Sequence, residues 1–257
     1  MTIEDTGVVL RATPVRESDL LVTLYTSQHG RLSAVARGAR RSQRRFAGAL
    51  SLLVLARYQL ARTRGELWAL DSADIVREWT SLATDVIAHA HASYAAELVG
   101  ALVPAEQPEP EALALMTGLW DALAAGGPSP GVLRAVELHL LDLAGHMPAL
   151  DRCAACGSGD LDSGGAVFDP SRGGAICRRC AATSRGPGVR PLDAGARAYL
   201  LAIAGAHGLD TARAVDAAFA PADRVAARDA VVAMVVGLVG RPLRSLEYLA
   251  KLGAAGR

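Results

Sequence analysis

Lysine is almost missing from this chain of 257 residues, in which Lys251 is the one lysine among 27 basic residues. A P-loop needs a lysine directly after a glycine, and Lys251 follows an alanine, so this nucleotide-binding motif is excluded. His89 and His91 are two residues apart and would face different sides of a helix, while His139 and His146 have no acidic partner at a metal-binding spacing. We find no nucleophile–base pair and therefore expect a protein that is not an enzyme.

Long apolar runs are also lacking. Hydrophobic residues make up 51 % of the chain, which is enough for a core, but the longest uncharged apolar run, residues 230–240, has only eleven residues. A membrane-spanning helix needs about 20. The first residues, M-T-I-E-D-T-G, have neither the basic nor the apolar region of a secretory signal. We therefore expect a soluble, cytoplasmic protein.

Only four cysteines occur, in two C-x-x-C pairs: Cys153 with Cys156, and Cys177 with Cys180. Twenty residues separate the pairs, a spacing typical of a zinc site with four thiolates. Such a site leaves no open position for a reactive water, so we predict one structural zinc ion. Two alternatives remain open. One is a pair of redox disulfides, which would usually open a thioredoxin-like helix, and the other is structural disulfides, which need an oxidising compartment.

The first 80 residues have the composition of a small β-barrel. Apolar and β-branched runs predict strands at residues 8–10, 20–26, 32–36, 50–60 and 66–76. No convincing helical pattern interrupts them. Five strands in about 75 residues fit an OB-type barrel, and an SH3-like barrel is the alternative that the pattern leaves open.

Positive charge is concentrated in this N-terminal region, which has twelve arginines against eight acidic residues. The densest stretch, R-G-A-R-R-S-Q-R-R at residues 37–45, lies in a loop between two predicted strands and contains no acidic residue. It is either a solvated loop or, as we favour, a surface that binds nucleic-acid phosphates, since loops of OB barrels commonly hold single strands. Phe46 is the aromatic residue best placed to meet a base. The predicted nucleic-acid contacts are Arg31, Arg37, Arg40, Arg41, Arg44, Arg45, Phe46, Arg62 and Arg64.

From residue 81 onward the apolar residues recur at intervals of three and four residues, and this period predicts helices. We expect a first helix that ends before Pro104, and the further predicted helices cover residues 111–125, 131–144, 193–207, 223–239 and 243–252. The predicted fold is therefore α+β. It has an N-terminal OB-type barrel domain at residues 1–80 and a helical domain at residues 81–257, which a zinc-binding module at residues 151–190 interrupts.

Several motifs follow one another along nearly the whole chain. They include V-V-L-R at residues 8–11, H-G-R-L at 29–32, V-A-R-G-A-R-R at 35–41, L-L-D-L-A-G-H-M-P at 140–148, both C-x-x-C pairs, and R-P-L-R-S-L-E-Y-L at 241–249. In this order they resemble the RecO family of recombination mediators in DNA repair. The fold of that family is an N-terminal OB barrel, a helical domain and an inserted zinc motif.

This resemblance implies functions that the residues alone do not indicate. A protein of this family binds single- and double-stranded DNA and anneals complementary strands coated with single-strand binding protein. It contacts the acidic, apolar C-terminal tail of that protein through its helical domain, and with RecR it helps to load RecA. It uses no nucleotide cofactor and would act on the nucleoid. An acidic tail needs a pocket with a basic rim, for which the candidates are Arg134, Arg241 and Arg244.

Two other classes of protein remain open at this point. An RNA-binding module made of an OB barrel and a zinc ribbon would prefer structured RNA to single-stranded DNA. A nuclease that holds zinc or magnesium at unrecognised acidic residues would cleave phosphodiester bonds.

Overall fold

The computed structural model describes residues 1–42, 44–105, 107–161 and 165–255. The chain begins with five strands, which are β1 (Thr2–Pro14), β2 (Leu20–Thr26), β3 (Gly30–Ala36), β4 (Val54–Arg62) and β5 (Trp68–Glu78). They pair in the order β1-β2-β3-β5-β4, and β4 pairs again with β1, so that the ring of pairings is closed. All these pairings are antiparallel except that of β3 with β5. The prediction of a five-stranded N-terminal sheet is confirmed.

Two of the strands differ from the prediction by more than two residues at one end or both. β1 is longer than residues 8–10, because polar residues such as Glu4 and Thr6 alternate with buried ones and complete its pairing with β4. β4 begins at Val54 instead of residue 50, because Leu53 adopts a positive φ of 67°, which interrupts the extended backbone. β2 covers the predicted residues 20–26.

The inner face of the sheet is apolar. In β3, Leu32, Ala34 and Ala36 are buried, while the intervening residues are partly exposed, as expected of a strand with one face in the core. Tyr58, also buried, donates its hydroxyl to the carbonyl of Ala49 at 3.3 Å. The core is therefore apolar, and this buried hydroxyl has a partner.

Eight α-helices lie within the described residues. They are α1 (Val86–Leu102), α2 (Pro110–Gly126), α3 (Pro130–Leu143), α4 (Arg178–Ala181), α5 (Ala194–Ala204), α6 (Leu209–Val215), α7 (Pro221–Val239) and α8 (Arg244–Ala255). The predicted N-cap Asp193 accepts a hydrogen bond from the Ala196 backbone N–H at 2.7 Å. The seven-residue helix α6 was missed, since it is too short to show a clear apolar period. None of the described helices combines the length and apolar character that crossing a membrane requires.

The segment between α3 and α5 contains a small sheet. Its strands β6 (Ala166–Asp169), β7 (Gly174–Ile176) and β8 (Arg190–Leu192) pair in the order β7-β6-β8. Each strand has only three or four residues, which is too few for an apolar alternation to be recognised in the sequence. Within the predicted zinc-binding module at residues 151–190 the sequence indicated no strand or helix, and the structure gives this segment strands and a short helix of its own.

Residue contacts divide the chain into two compact units, residues 1–125 and 126–257. In the first unit, α2 is tied to the end of the five-stranded sheet, because Asp121 accepts hydrogen bonds from Arg77 and from the indole N–H of Trp79, the latter at 2.7 Å. The second unit contains α3 to α8 and the small sheet. The domain boundary near residue 80 stays a prediction.

Candidate functional site

The loop after β3, residues 37–45, is anchored to the sheet by its backbone; we call it the arginine loop. Gly38 has φ of 66° and donates its N–H to the Asp19 carboxylate at 2.8 Å. Arg40 donates its backbone N–H to the Ser18 carbonyl at 3.0 Å, and the Arg45 carbonyl accepts from Ala73 at 2.9 Å. The N–H of Gly38 lowers the pKa of Asp19, which therefore stays ionised. The backbone of the loop is thus fixed at both ends, and Gln43 within it lies outside the described residues.

All five arginines of the arginine loop are exposed, and the Arg45 guanidinium donates to the Arg37 carbonyl within the loop. Arg41 forms an ion pair with the exposed Glu17, and Arg40 donates to the Glu17 carbonyl at 3.0 Å. Ion pairs between exposed groups contribute only about 0–1 kcal/mol, so a phosphate can displace them at little cost. For Arg44 the described part of the chain offers no side-chain partner. The loop therefore presents a fixed backbone with cationic groups that are available to an anion.

The remaining predicted arginines of this region lie elsewhere. Arg31 is half-buried and donates to the Gly100 carbonyl of α1, so it stabilises the packing of the first unit, and the structure does not support its assignment to a DNA surface. Arg62 and Arg64 are exposed, but they lie at the end of β4 and in the turn after it. The structure thus brings together five of the predicted arginines and separates three from them.

Phe46 is where the prediction was wrong. Only 2 % of this residue is exposed, and it belongs to the core of the five-stranded sheet together with Ala49 and Tyr58. The loop turns inward directly after Arg45, whose guanidinium carbon lies 5.0 Å from the Phe46 ring centroid. A base cannot stack on a ring that is enclosed in this way.

Replacing Phe46 with leucine should therefore affect stability and leave DNA binding unchanged. Leucine keeps an apolar side chain in the core but leaves a small void, so the free energy of unfolding should fall by on the order of 1 kcal/mol. Loss of a stacked base would instead weaken single-strand affinity by about 1–3 kcal/mol. Urea unfolding and fluorescence-anisotropy titration with an oligonucleotide distinguish the two outcomes, and a clear loss of affinity without a loss of stability would restore the stacking role.

The four cysteines come together at one point. Their sulfurs all lie within 4.8 Å of one another, and the sulfurs of Cys156 and Cys177 are 3.9 Å apart. In a tetrahedral zinc site with bonds of about 2.3 Å, neighbouring sulfurs would be about 3.8 Å apart. The cysteines are free, so neither disulfide alternative is present in this structure. The donor set therefore fits a metal ion.

Backbone hydrogen bonds build this cysteine cluster. The first C-x-x-C turn closes when Gly157, with φ of 74°, donates to the Cys153 carbonyl at 2.8 Å. Ala154 donates to the Ala175 carbonyl at 2.8 Å and so ties this turn to β7. The second turn enters α4, and the Cys177 N–H points to the Cys153 sulfur at 3.3 Å. The two turns are thus held face to face by the peptide backbone.

The protonation of the cluster also favours a cation. Burial raises the pKa of Cys153, but N–H groups of Cys177, Cys156 and Ala155 outweigh burial and lower the pKa to about 6. Hydrogen bonding to the Cys156 thiol is the main cause that raises the pKa of Cys180 to about 12. Four thiolates cannot share this space without a positive charge, and a divalent ion would stabilise them all.

The three arginines predicted for a partner-tail pocket have different environments. Arg134 is 3 % exposed, forms an ion pair with Glu137 one helical turn later, and approaches the Arg228 carbonyl at 3.4 Å. It cannot form the rim of an accessible pocket, so this assignment was wrong; the i,i+3 spacing of opposite charges was the signal that could have revealed it. Arg241 and Arg244 are exposed, between the end of α7 and the start of α8.

One catalytic-looking pattern was overlooked in the sequence. Residues 127–131 read G-P-S-P-G, which matches the G-x-S-x-G pattern of serine hydrolases. In the structure Ser129 is 5 % exposed and is the N-cap of α3, where its hydroxyl accepts from the Val132 N–H and donates to the Asp216 carboxylate at 2.7 Å. The contact with Val132 caps the helix and the contact with Asp216 satisfies the buried hydroxyl, so Ser129 has a structural explanation.

A five-stranded sheet with a cationic loop, followed by helices and a four-cysteine cluster that could hold a metal ion, defines a two-unit α+β protein. Comparison with known proteins identifies the family within this class. The family model "Recombination protein O N terminal" matches residues 1–79, and "Recombination protein O C terminal" matches residues 83–247.

Relatives along almost the full length carry the same name. The chain is 43 % identical over 252 residues to a DNA repair protein RecO of Anaeromyxobacter sp. (strain K), with 96 % of each chain covered. The protein of that name from Myxococcus xanthus is 35 % identical, covering 97 % of this chain and 98 % of the relative. The one from Syntrophus aciditrophicus is 30 % identical, with 97 % and 96 % covered. The chain therefore belongs to the RecO family of DNA repair and recombination proteins.

Proposed function

We propose that this protein is a recombination mediator that binds single- and double-stranded DNA through the arginine loop and anneals complementary strands. The observation that carries the proposal is the exposure of five arginines, Arg37, Arg40, Arg41, Arg44 and Arg45, on one anchored loop. Arginines on phosphates bind DNA without reading its sequence. A protein that must pair any two complementary strands needs contacts of this kind.

The strand order supports an OB-type barrel as the carrier of this loop. Five strands in the order β1-β2-β3-β5-β4, with β4 back on β1, agree with a small five-stranded barrel whose loops bind oligonucleotides. We assign residues 1–80 to this domain, residues 81–257 to a helical domain, and residues 151–190 to a metal-binding module within it. For the ion we propose zinc on Cys153, Cys156, Cys177 and Cys180, since four thiolates favour a soft metal in tetrahedral geometry.

Annealing sets an electrostatic requirement that the arginine loop meets. Two DNA strands repel each other, so a mediator has to neutralise phosphates on both without holding either strand so firmly that pairing stops. Each exposed guanidinium contributes a small increment of affinity, and Glu17, the ion-pair partner of Arg41, is itself exposed. This chemistry breaks no covalent bond, in keeping with our expectation of a non-enzymatic protein.

The proposal is tested by mixing purified protein with complementary strands coated with single-strand binding protein and measuring the rate at which duplex appears. We expect the protein to accelerate annealing and to cleave neither strand. In direct competition, structured RNA should not displace single-stranded DNA from the protein. Strand cleavage would point to a nuclease, and a preference for structured RNA would point to an RNA-binding module. Either result would overturn the proposal.

The partners proposed for this role are single-strand binding protein and RecR, with a functional link to RecA, on the nucleoid in the cytoplasm. An acidic, apolar tail needs an apolar surface with cations beside it. Arg241 and Arg244 are exposed, and Tyr248 of α8, with 46 % of its surface exposed, lies one turn after Arg244. We propose that this end of the chain contributes to the tail site.

Charge reversal at both arginines, Arg241→Glu with Arg244→Glu, should therefore weaken binding of the tail peptide. Losing two exposed charge contacts, and replacing them with repulsion, should lower the affinity by about 10-fold or more. Fluorescence anisotropy of a labelled tail peptide measures this, with Arg228→Glu as a control at another exposed arginine of the same unit. Unchanged affinity in the double variant would remove both residues from the tail site.

A further inference from the structure

A pocket of about 320 Å³ opens at the beginning of β3, away from the arginine loop. The residues around it come from three parts of the chain: the first residue, the β2–β3 turn with β3, and the β4–β5 connection. They are Met1, Gln28, His29, Leu32, Arg62 and Trp68. The volume is at the lower end of the range of small-molecule sites, so the pocket suits one small group rather than a folded partner.

His29 is held in place by a buried carboxylate. Its Nδ1 lies 2.7 Å from Oδ2 of Asp5, a side chain with no exposed surface. Burial raises the pKa of Asp5, but hydrogen bonds from His29, Ser27 and Gln28 outweigh it and keep the carboxyl ionised. Nδ1 is therefore engaged, and Nε2 is the ring nitrogen that remains for a ligand.

Trp68 and Arg62 form the other side of the pocket. Trp68 is 5 % exposed, and its indole N–H has no hydrogen-bond partner among the residues that the structure describes. The Arg62 guanidinium carbon lies 4.9 Å from the Trp68 ring centroid, and the His29 ring meets the indole edge-on with 6.4 Å between centroids. The indole N–H is itself buried, so the groups that the pocket offers to a ligand are the Arg62 guanidinium and the His29 ring edge.

The pocket and the arginine loop are separate surfaces. The turn with His29 precedes β3 and the loop follows it, so the 7 residues of β3 lie between them. At about 3.3 Å per residue, this separates His29 from the loop by about 20 Å, while Trp68, which pairs with Ala34 in β3, lies closer to the loop. The pocket and the loop share no residue, so each can be altered without the other.

We propose that this pocket, which we call the Trp68 pocket, binds one unpaired nucleotide of a DNA strand. Leu32 and Trp68 are buried and contribute little accessible surface, while the exposed Arg62 guanidinium and the half-buried His29 ring suit the phosphate and the polar groups of a nucleotide. The inference rests on the proposed DNA-binding function and adds a second site to it. A mediator with two separate sites on one barrel can hold a base out of the stack at one and a phosphate backbone at the other.

Photo-cross-linking tests the Trp68 pocket directly. An oligothymidylate carrying one 5-iodo-2′-deoxyuridine is irradiated with the full-length protein at saturating protein concentration, and cross-linked peptides are identified by mass spectrometry. We expect cross-links at His29 or Trp68. Arg62→Ala should weaken oligonucleotide affinity about 4-fold at 0.15 M salt, the loss for one phosphate contact, and reduce these cross-links. Arg57→Ala is the matched control, since this exposed arginine of the same strand does not line the pocket, and it should leave both unchanged.

The results separate the pocket from the arginine loop. Cross-links at His29 or Trp68 that persist in Arg40→Ala/Arg41→Ala/Arg44→Ala and fall in Arg62→Ala would support a second site. Cross-links confined to the arginine loop, with Arg62→Ala binding DNA like Arg57→Ala, would overturn the pocket and leave the proposed function intact. A wild-type protein that binds no DNA would overturn both.

Discussion

Replacing Cys177 with serine is expected to remove the bound zinc and destabilise the segment from residue 151 to residue 190. Three remaining thiolates hold zinc more weakly, and the free energy of metal binding contributes directly to folding in sites of this kind, about 10–16 kcal/mol in isolated zinc fingers. Elemental analysis should find about one zinc per wild-type chain and far less in the variant. The variant should begin to unfold at a lower temperature than the wild type and should be less soluble.

Two controls keep this prediction specific. Cys177→His retains a zinc ligand and should keep most of the metal, because sites with three cysteines and one histidine are common. Oligonucleotide affinity should change less than metal content in Cys177→Ser, since the arginine loop belongs to the other compact unit. The assignment would be contradicted if elemental analysis found no zinc in the purified wild-type protein, or full zinc content in the serine variant.

The second large effect is expected at the arginine loop. The triple variant Arg40→Ala/Arg41→Ala/Arg44→Ala should lose about 50-fold in single-strand affinity at 0.15 M salt, since each phosphate contact contributes about 4-fold there. Annealing of coated strands should slow correspondingly. The variant should still fold, because the loop is held by backbone atoms of Gly38, Arg40 and Arg45 that alanine preserves.

A charge-matched control is available elsewhere in the chain. Arg57, Arg185 and Arg228 are exposed and lie outside the arginine loop, so changing all three to alanine alters the net charge by the same amount. This control should anneal strands nearly as well as the wild type. If it loses as much activity as the loop variant, overall charge and not the arginine loop governs DNA binding.

Local patterns made much of the fold predictable. β2 was located from its β-branched run, and the N-cap of α5 from Asp193, because both depend on residues that are neighbours in the sequence. The cysteine cluster was predictable for the same reason, because the spacing within each C-x-x-C pair is enough to bring its two sulfurs together in one turn.

Features that depend on distant contacts were not predictable. Phe46 follows the arginine loop, and only the closed ring of strands shows that the chain turns inward there. The Asp5–His29 contact joins β1 to the turn after β2 and requires the register between those strands. The three strands of the small sheet are too short to show an apolar alternation in the sequence. They are stabilised by pairing with one another, which depends on contacts between distant residues.

The salt dependence of single-strand binding tests the central claim most directly. If about five phosphates are neutralised, a plot of log affinity against log salt should have a slope near −3.5 for the wild type, using about −0.7 per contact. The Arg40→Ala/Arg41→Ala/Arg44→Ala variant keeps two of the five contacts and should have a slope of about −1.4. The charge-matched control should keep the slope of the wild type. Equal slopes for the wild type and the loop variant would contradict the account and make the arginine loop a solvated surface.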